Sequence, residues 1–564
     1  MERKNETKRQ YHDRRLQALK AVRNDWEAHW FELAEYTAPS RLRLQPDIQN
    51  RGRPDRKKIV DSSASLALRT LASGMHSGIT SPARPWFRLT TFDPDLKDLA
   101  TVKGYLSQVE VRMREVFQAS NIYPSFHMGY ADLGLFGQSC ALLVEDKDYI
   151  VRMVPLLHGS FWLARDGNGI ATTCYRQMRW ACSKIVERFG YDNCSLTLRN
   201  AYDRGDYDEL FIINHAVEPR MERRPGKIDK ANKAWLSNYW EDGARPVNES
   251  GLLEESGFDS NPIIAPAWEL VAEDDYAVSP GMDALPDVKQ LQVMQLRKGE
   301  AIDKKVRPPM TGPMSLKNNP ASLMPGSVTY VDDPTGRAYR AAIEVNLSLA
   351  ELGEEIRQVQ NRIDRAYFAD LFLMLANMEG IQPRNSFEIA ERKEEKLLAL
   401  GPVLENIYGG QLGPVIDRTY DIMAKNGLLP EPPIEIQETE LKVEYISMLA
   451  QAQKAVGTGS IERVFSFAGS LAAMKPEVLD KINMDEGIDV YADLLGAPPS
   501  VIVPDEEVAK VRDGRAQQQA QMAQAEAAAT MAPAARDGAE AARVLSEVGS
   551  SGSGASLLQQ IGIG

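Results

Sequence analysis

The chain has 564 residues, 43% apolar and 26% charged, with 66 Lys or Arg against 79 Asp or Glu for a formal charge of −13. That composition belongs to a globular protein long enough for several folding units. It excludes a bilayer-spanning chain, since no apolar run approaches the roughly 20 residues a span needs, and it argues against a protein that coats nucleic acid by bulk charge.

The N-terminus, MERKNETKRQYHDRR, is charged from its second residue and lacks the apolar segment of a signal peptide. Charge is uneven along the chain: residues 1–60 carry 15 basic against 9 acidic residues, and residues 430–500 carry 5 against 12. Such ends suit distinct surroundings in an assembly, or simply solvated helix faces. The first predicted helix has Leu16, Leu19, Trp26, Trp30 and Leu33 at helical spacing and stops at Tyr36-Thr-Ala-Pro-Ser40. After a basic loop (Arg51, Arg53, Arg56, Lys57, Lys58), a second helix places Ala64, Leu68, Leu71, Met75 and Ile79 on one face. A third runs through Val102, Leu106, Val109, Met113 and Val116, and a fourth starts at Pro124. Residues 139–220 then read as short strands (Ser139 to Val144, Tyr149 to Val154, Thr172 to Trp180, Leu210 to Ile213) around one helix at Lys184 to Phe189. The fold class is therefore α+β, mainly helical.

At Ser279 the pattern changes. A polar helix runs from Ser279-Pro280 to Lys305 and carries Lys289, Arg297, Lys298, Lys304 and Lys305. Between Val306 and Gly336 six prolines and three glycines in 31 residues break any regular helix and predict a compact insertion. A second long helix follows, in which Val345, Leu349, Leu352, Ile356, Val359, Ile363 and Ala366 repeat every 3.5 residues. That narrow strip fits packing against another helix at a shallow angle as well as an ordinary core face. After the apolar stretch Tyr367 to Leu375 and a polar break at Asn377 to Ser386, another helix aligns Leu397, Leu404, Ile407, Leu412, Val415, Thr419 and Ile422. A kink is expected at Gly409-Gly410 and Gly413-Pro414. Residues 440–495 read as further helix, and the Ala/Gln-rich tail from Arg515 reads either as a helix held by neighbours or as a disordered arm.

The sequence holds no phosphate-binding GxxxxGK[ST] loop, no HExxH, no GxSxG elbow and no GxGxxG. The six histidines (His12, His29, His76, His127, His158, His215) are scattered, and none pairs with another histidine or a cysteine at metal-ligand spacing. Cys140, Cys174, Cys182 and Cys194 form no CxxC pair, so a reducing compartment fits and they read as buried thiols rather than a site built with His158. The pairs Asp274-Asp275 and Asp332-Asp333 read as turn residues. An enzyme is disfavoured, and neither a cofactor nor a metal is expected.

The order of segments resembles the head-to-tail connector, or portal, family of short-tailed bacteriophages. The resemblance is carried by Tyr36-Thr-Ala-Pro-Ser40, by Leu66 to Met75 running into Pro85-Trp86-Phe87-Arg88-Leu89, and by Tyr123 to Val144. It continues through Ala284-Leu-Pro-Asp-Val-Lys-Gln-Leu-Gln292 and Asn385-Ser-Phe-Glu-Ile-Ala-Glu391 to the Ala/Gln/Met-rich tail. Colinear over nearly the whole chain, it says little about 215–262 and the residues beyond 500.

The resemblance implies a ring of twelve subunits at one capsid vertex, through which double-stranded DNA is packaged and ejected. Its regions would be an α+β wing (1–278), stem helices (279–305 and 341–375) and a clip (306–340). A channel loop (376–386), C-terminal wing helices (387–469), a crown (470–512) and a tail (513–564) would follow. Stem candidates for contact with DNA are Arg297, Lys298, Lys304 and Lys305, and channel-loop candidates are Asn377, Glu379, Gln382, Arg384 and Asn385. Met310, Met314, Leu316, Leu323 and Met324 would dock a packaging terminase and later a tail adaptor, while Leu349, Leu352, Ile356, Val359 and Ile363 would form an inter-subunit seam. Major capsid and scaffolding proteins are further implied partners, with assembly in the host cytoplasm and residence in the virion. The alternative is a structural capsid or tail protein without a channel; a packaging motor would need the missing phosphate loop.

Overall fold

The computed structural model describes residues 6–44, 57–93, 96, 99–224, 229–243, 250–272, 274–306, 310–311, 340–341, 348–376, 400–437, 439–447, 449, 458–472, 483–495, 503, 508–522 and 543. The chain divides into two compact units, Met1–Val456 and Gly457–Gly564.

Helix α1 (Lys8–Thr37) opens the first unit, started by a capping box in which Thr7 and Gln10 each bond the other's backbone N–H. Its N-terminal half, through Leu16 and Leu19, packs on Trp162, Tyr175, Ala216 and Trp240 of a β-sheet. Its C-terminal half, through Trp30, Leu33 and Ala34, enters the main helical core. That core is filled by α2 (Ser63–Ile79), α3 (Ala100–Ala119) and α4 (Ile122–Phe136); the predicted faces of α2 and α3 are buried, including Leu68, Leu71, Val109 and Met113, and so are Phe126 and Leu133 of α4. Between α2 and α3 lies β1 (Phe87–Thr91). Gly137 ends α4 at φ +79°, and a Cβ there would sit 2.4 Å from the Ala277 carbonyl oxygen, so glycine is required on both counts.

The strands β2 (Cys140–Asp146), β3 (Ile150–Leu156), β4 (Phe161–Arg165) and β5 (Ala171–Ala181) follow. After the short helices α5 (Cys182–Phe189) and α6 (Leu196–Asp203) come β6 (Leu210–Pro219), β7 (Trp235–Glu241), β8 (Glu254–Phe258) and β9 (Ile263–Ile264). They form two antiparallel sheets, a three-stranded one in the order β3-β2-β9 and a five-stranded one in the order β4-β5-β6-β7-β8. Cys140, Leu142 and Ile263 of the first meet Leu163, Cys174 and Val217 of the second in one apolar cluster. All four cysteines are free and buried. Cys182 and Cys194 lie in a different cluster from Cys174, so the thiols do not converge on His158.

The chain continues with α7 (Pro280–Val306), β10 (Met310–Thr311), β11 (Arg340–Ala341), α8 (Leu349–Ala366), α9 (Ala369–Ala376), α10 (Gly401–Ile407), α11 (Gly413–Lys425) and β12 (Leu441–Tyr445). The expected kink appears as a π-helical turn at Tyr408–Leu412 between α10 and α11, where Pro414 has no N–H to continue the regular ladder. Two helix expectations are corrected. The helix expected over 341–375 is broken at Tyr367–Phe368, where Phe368 takes φ +53°, and the described part divides into α8 and α9. The helix expected over 440–495 begins instead with β12, which pairs with β1 from Phe87↔Tyr445 to Thr91↔Leu441. In the second unit α12 (Thr458–Ala472) and α13 (Met484–Leu495) pack together, with Gly487 giving room to the Phe465 ring. A helix over 508–522 is joined to α13 by an Arg512–Asp485 ion pair of 2.6 Å. The division at 456/457 precedes the boundary at 470 expected from the resemblance. Among the described residues no helix is long and apolar enough to cross a membrane.

Burial pushes three imidazoles below their ordinary range: His12 to about 4, His158 to about 3, and His215 in the same direction. They are neutral in the fold and take protons near 6.5 once unfolded, so their stabilisation is present above that pH and falls as pH drops toward 4. Asp132, pushed up to about 6 by burial against the pull of Arg41, acts in the opposite sense, favouring the fold below about 4 and losing that contribution as pH rises through 6. The three histidines act in one sense, so their contribution to the thermal midpoint should fall between about pH 7 and about pH 4.5. His158→Phe, which keeps the stack on Phe136, should flatten that dependence; an unchanged slope in the variant would refute the assignment.

Candidate functional site

Helices α7 and α8 form an antiparallel pair that begins inside the core and leaves it. At the base, Ser279 accepts from the Met282 N–H and donates to the Leu135 carbonyl, fixing the start of α7 against the end of α4. Ala284, Leu285, Val288, Leu291 and Gln292 are buried along one face of α7, and Ile356, Val359 and Ile363 along one face of α8. Asp287 accepts two bonds from Arg362, at 3.0 and 2.9 Å, which sets the register of the pair.

Asp61, just ahead of α2, holds both helices. Gln292 accepts from the Val60 and Asp61 N–H groups, both at 2.7 Å, and donates to the Asp61 carbonyl at 3.0 Å. Gln295 and Gln360 both donate to the Asp61 carboxylate, at 2.7 and 3.1 Å, and Gln360 also reaches Ser63. Burial alone would raise this carboxyl, but the hydrogen bonds from Ser63, Gln295 and Gln360 prevail and hold it below the usual carboxylate range. The sequence pointed to Gln292 alone, as the end of the Ala284 to Gln292 motif, and to no knot, because its members come from three distant segments.

Beyond Gln292 the character of α7 changes. From Val293 to Val306 no side chain is buried, a length of about 20 Å at 1.5 Å per residue. The first seven residues of α8 are likewise unburied. The pair therefore projects from the core, and at its far end β10 and β11 pair through Met310↔Ala341 and Thr311↔Arg340. This two-residue ladder brings the two ends of the insertion side by side.

The four predicted cations lie on this projection, on two faces rather than one. Arg297 and Lys304, two turns apart, fall opposite the buried stripe and share their side with the exposed Val293. Lys298 and Lys305, also two turns apart, occupy a flank. Arg297 pairs with Glu300 at 2.8 Å; Lys298, Lys304 and Lys305 make no ion pair among the described residues. The arrangement can attract an anionic polymer weakly and from a distance, but it holds no nucleophile or base. Among the described residues no group of three or more His, Cys, Asp or Glu could hold a metal ion.

The seam is corrected. Ile356 is 3% exposed and Val359 and Ile363 are 0% exposed within the single chain, so they have no surface to offer a second subunit. These three pack into the chain's own core, while Leu349, Leu352 and Ala366 keep accessible surface. A 3.5-residue repeat reports a helical partner without saying which chain supplies it. Asn377, Glu379, Gln382, Arg384 and Asn385 lie outside the described residues, as do Met314, Leu316, Leu323 and Met324; of Met310 only the strand position is described.

Comparison with known proteins agrees over most of the chain. Residues 9–503 match the family described as bacteriophage head to tail connecting protein. The chain is 44% identical over 537 residues to the portal protein of Salmonella phage epsilon15, covering 95% of each. It is also 44% identical over 504 residues to the probable portal protein of Bordetella phage BPP-1, covering 89% of this chain and 90% of the other.

Ile356→Asp should now unfold the first unit rather than only dissociate an assembly, because a carboxylate in that core costs upwards of about 3 kcal/mol. Far-UV circular dichroism with sedimentation velocity separates the two cases. Loss of helical signal is expected; folded monomers would return the strip to an interface.

Proposed function

Since the chain belongs to the bacteriophage head to tail connecting family, we propose that its copies close into a ring of twelve at one vertex of the capsid. The ring passes double-stranded DNA inward during packaging and outward during ejection. The family is structural, and the proposed role depends on shape and charge rather than on bond chemistry.

The observation that carries the reading is the α7–α8 projection, in which α7 from Leu296 to Val306 runs about 16 Å clear of its own core while the pair is anchored at its base by Asp61 and Arg362. A rod held in this way can border a channel without depending on that channel for its fold. With −13 per chain, the assembled ring is acidic and repels the phosphate backbone, so DNA slides without sticking. Cations at chosen heights then make brief contacts. The segment 306–340, between the two projecting helices, serves as the clip that docks the packaging terminase and afterwards the tail adaptor, with Met310, Met314, Leu316, Leu323 and Met324 as its apolar contacts. Residues 376–386 narrow the channel, with Arg384 as their cation. Assembly takes place in the host cytoplasm with capsid and scaffolding proteins.

The split of the cations gives the test. A lumen borders one face of the projection, so Arg297→Glu with Lys304→Glu, and Lys298→Glu with Lys305→Glu, should differ. Both double variants should assemble. One should change the length of DNA packaged or retained, measured from purified particles, and the other should match the parent. Equal and normal packaging in both would remove the stem cations from the channel.

A further inference from the structure

Cys140 on β2 and Cys174 on β5 belong to different sheets, and their sulfurs stand 3.8 Å apart across the cluster that joins those sheets. They are 3% and 1% exposed. Around them lie Leu142, Leu163, Val217 and Ile263, with Arg165 and Arg176 the cations acting on Cys140. The contact places each thiol where the other can intercept a reactive sulfur.

We propose that Cys140 and Cys174 are an oxidation site that forms a disulfide between the two sheets when the protein meets a hydroperoxide. The reaction proceeds in two balanced steps. One thiol is oxidised by hydrogen peroxide to a sulfenic acid, the peroxide O–O bond breaking with release of one water. The neighbouring thiol then attacks that sulfenic sulfur, an S–S bond forms, and the hydroxyl leaves with the attacking thiol's proton as a second water. In sum two thiols and one peroxide give one disulfide and two waters. Burial, which raises the Cys140 thiol well above its ordinary range, makes the first step slow, while contact makes the second step faster than any competing reaction. A small uncharged oxidant is required because both sulfurs are buried among apolar side chains. The product closes a loop of 34 residues between neighbouring sheets and restrains the unfolded chain accordingly.

The test exposes the folded full-length protein to hydrogen peroxide, then denatures it, alkylates the remaining thiols and maps the peptides by mass spectrometry. Free thiols should fall from four to two, with a Cys140–Cys174 linked peptide that disappears on reduction and a thermal midpoint raised by a few degrees. Cys182 and Cys194, buried together elsewhere, are the internal control and should remain free. In Cys174→Ser the Cys140 sulfur should advance to sulfinic acid instead of forming a link. Four free thiols after prolonged exposure, a link through Cys182 or Cys194, or sulfinic acid at Cys140 in the parent protein would each overturn the proposal.

Discussion

A helix of thirty residues, about 45 Å long, cannot be buried along its length by one layer of a small α+β unit, and α1 is divided between two. Leu16 and Leu19 belong to the sheet; Trp30 and Leu33 belong to the helical core. Arg23 sits between them, 1% exposed, donating to the Gly159 and Phe161 carbonyls at 2.7 and 2.6 Å and to Glu27. Burying a guanidinium is costly unless its donors are satisfied. Here they satisfy strand-end carbonyls that no ladder reaches, and the ring of Trp162 lies 4.2 Å from the charge. Arg418 of α11 repeats the device, bonding the Leu143 carbonyl at 2.8 Å and Ser260 at 2.9 and 2.7 Å. Burial lowers its guanidinium to about 10, so it stays charged at neutral pH.

The base of the projecting pair uses the rigidity so produced. The start of α7 rests on the end of α4, and α2, α7 and α8 meet at Asp61, so the projecting pair is set by contacts made at its base. Phe372 of α9 lies against α2 at Gly74, where a Cβ would come 2.2 Å from its ring. A subunit built this way carries its projection as a fixed lever. In a closed ring such a lever repeats at each interface with the same geometry.

What could be read in the sequence follows from the range of the interactions. The faces of α2 and α3 and the π-helical turn at Tyr408–Leu412 were legible because periodicity and a Gly/Pro pair are local signals. β12 was not, because five residues, Leu441-Lys-Val-Glu-Tyr445, alternate too briefly to outweigh the helical pattern around them, and β1, which fixes them, lies far upstream. β4 and β7 were missed for a similar reason, their identity as strands coming from β5 and β6 beside them. Of the site, the cations of α7 were legible as residues, and their division between two faces follows only once the buried stripe is known. The strip on α8 was legible as a seam while its partner was not, since a hydrophobic period is the same whether the facing helix belongs to this chain or another. Of the Asp61 knot only Gln292 stood in a recognisable motif, and nothing local tied it to Asp61.

Closure of this fold into a channel is read by electron-microscopic imaging of the purified full-length protein, which should reveal closed rings of about twelve subunits with an open centre. Particles that remain monomeric, or that associate into solid or open-ended assemblies without a central hole, would contradict it.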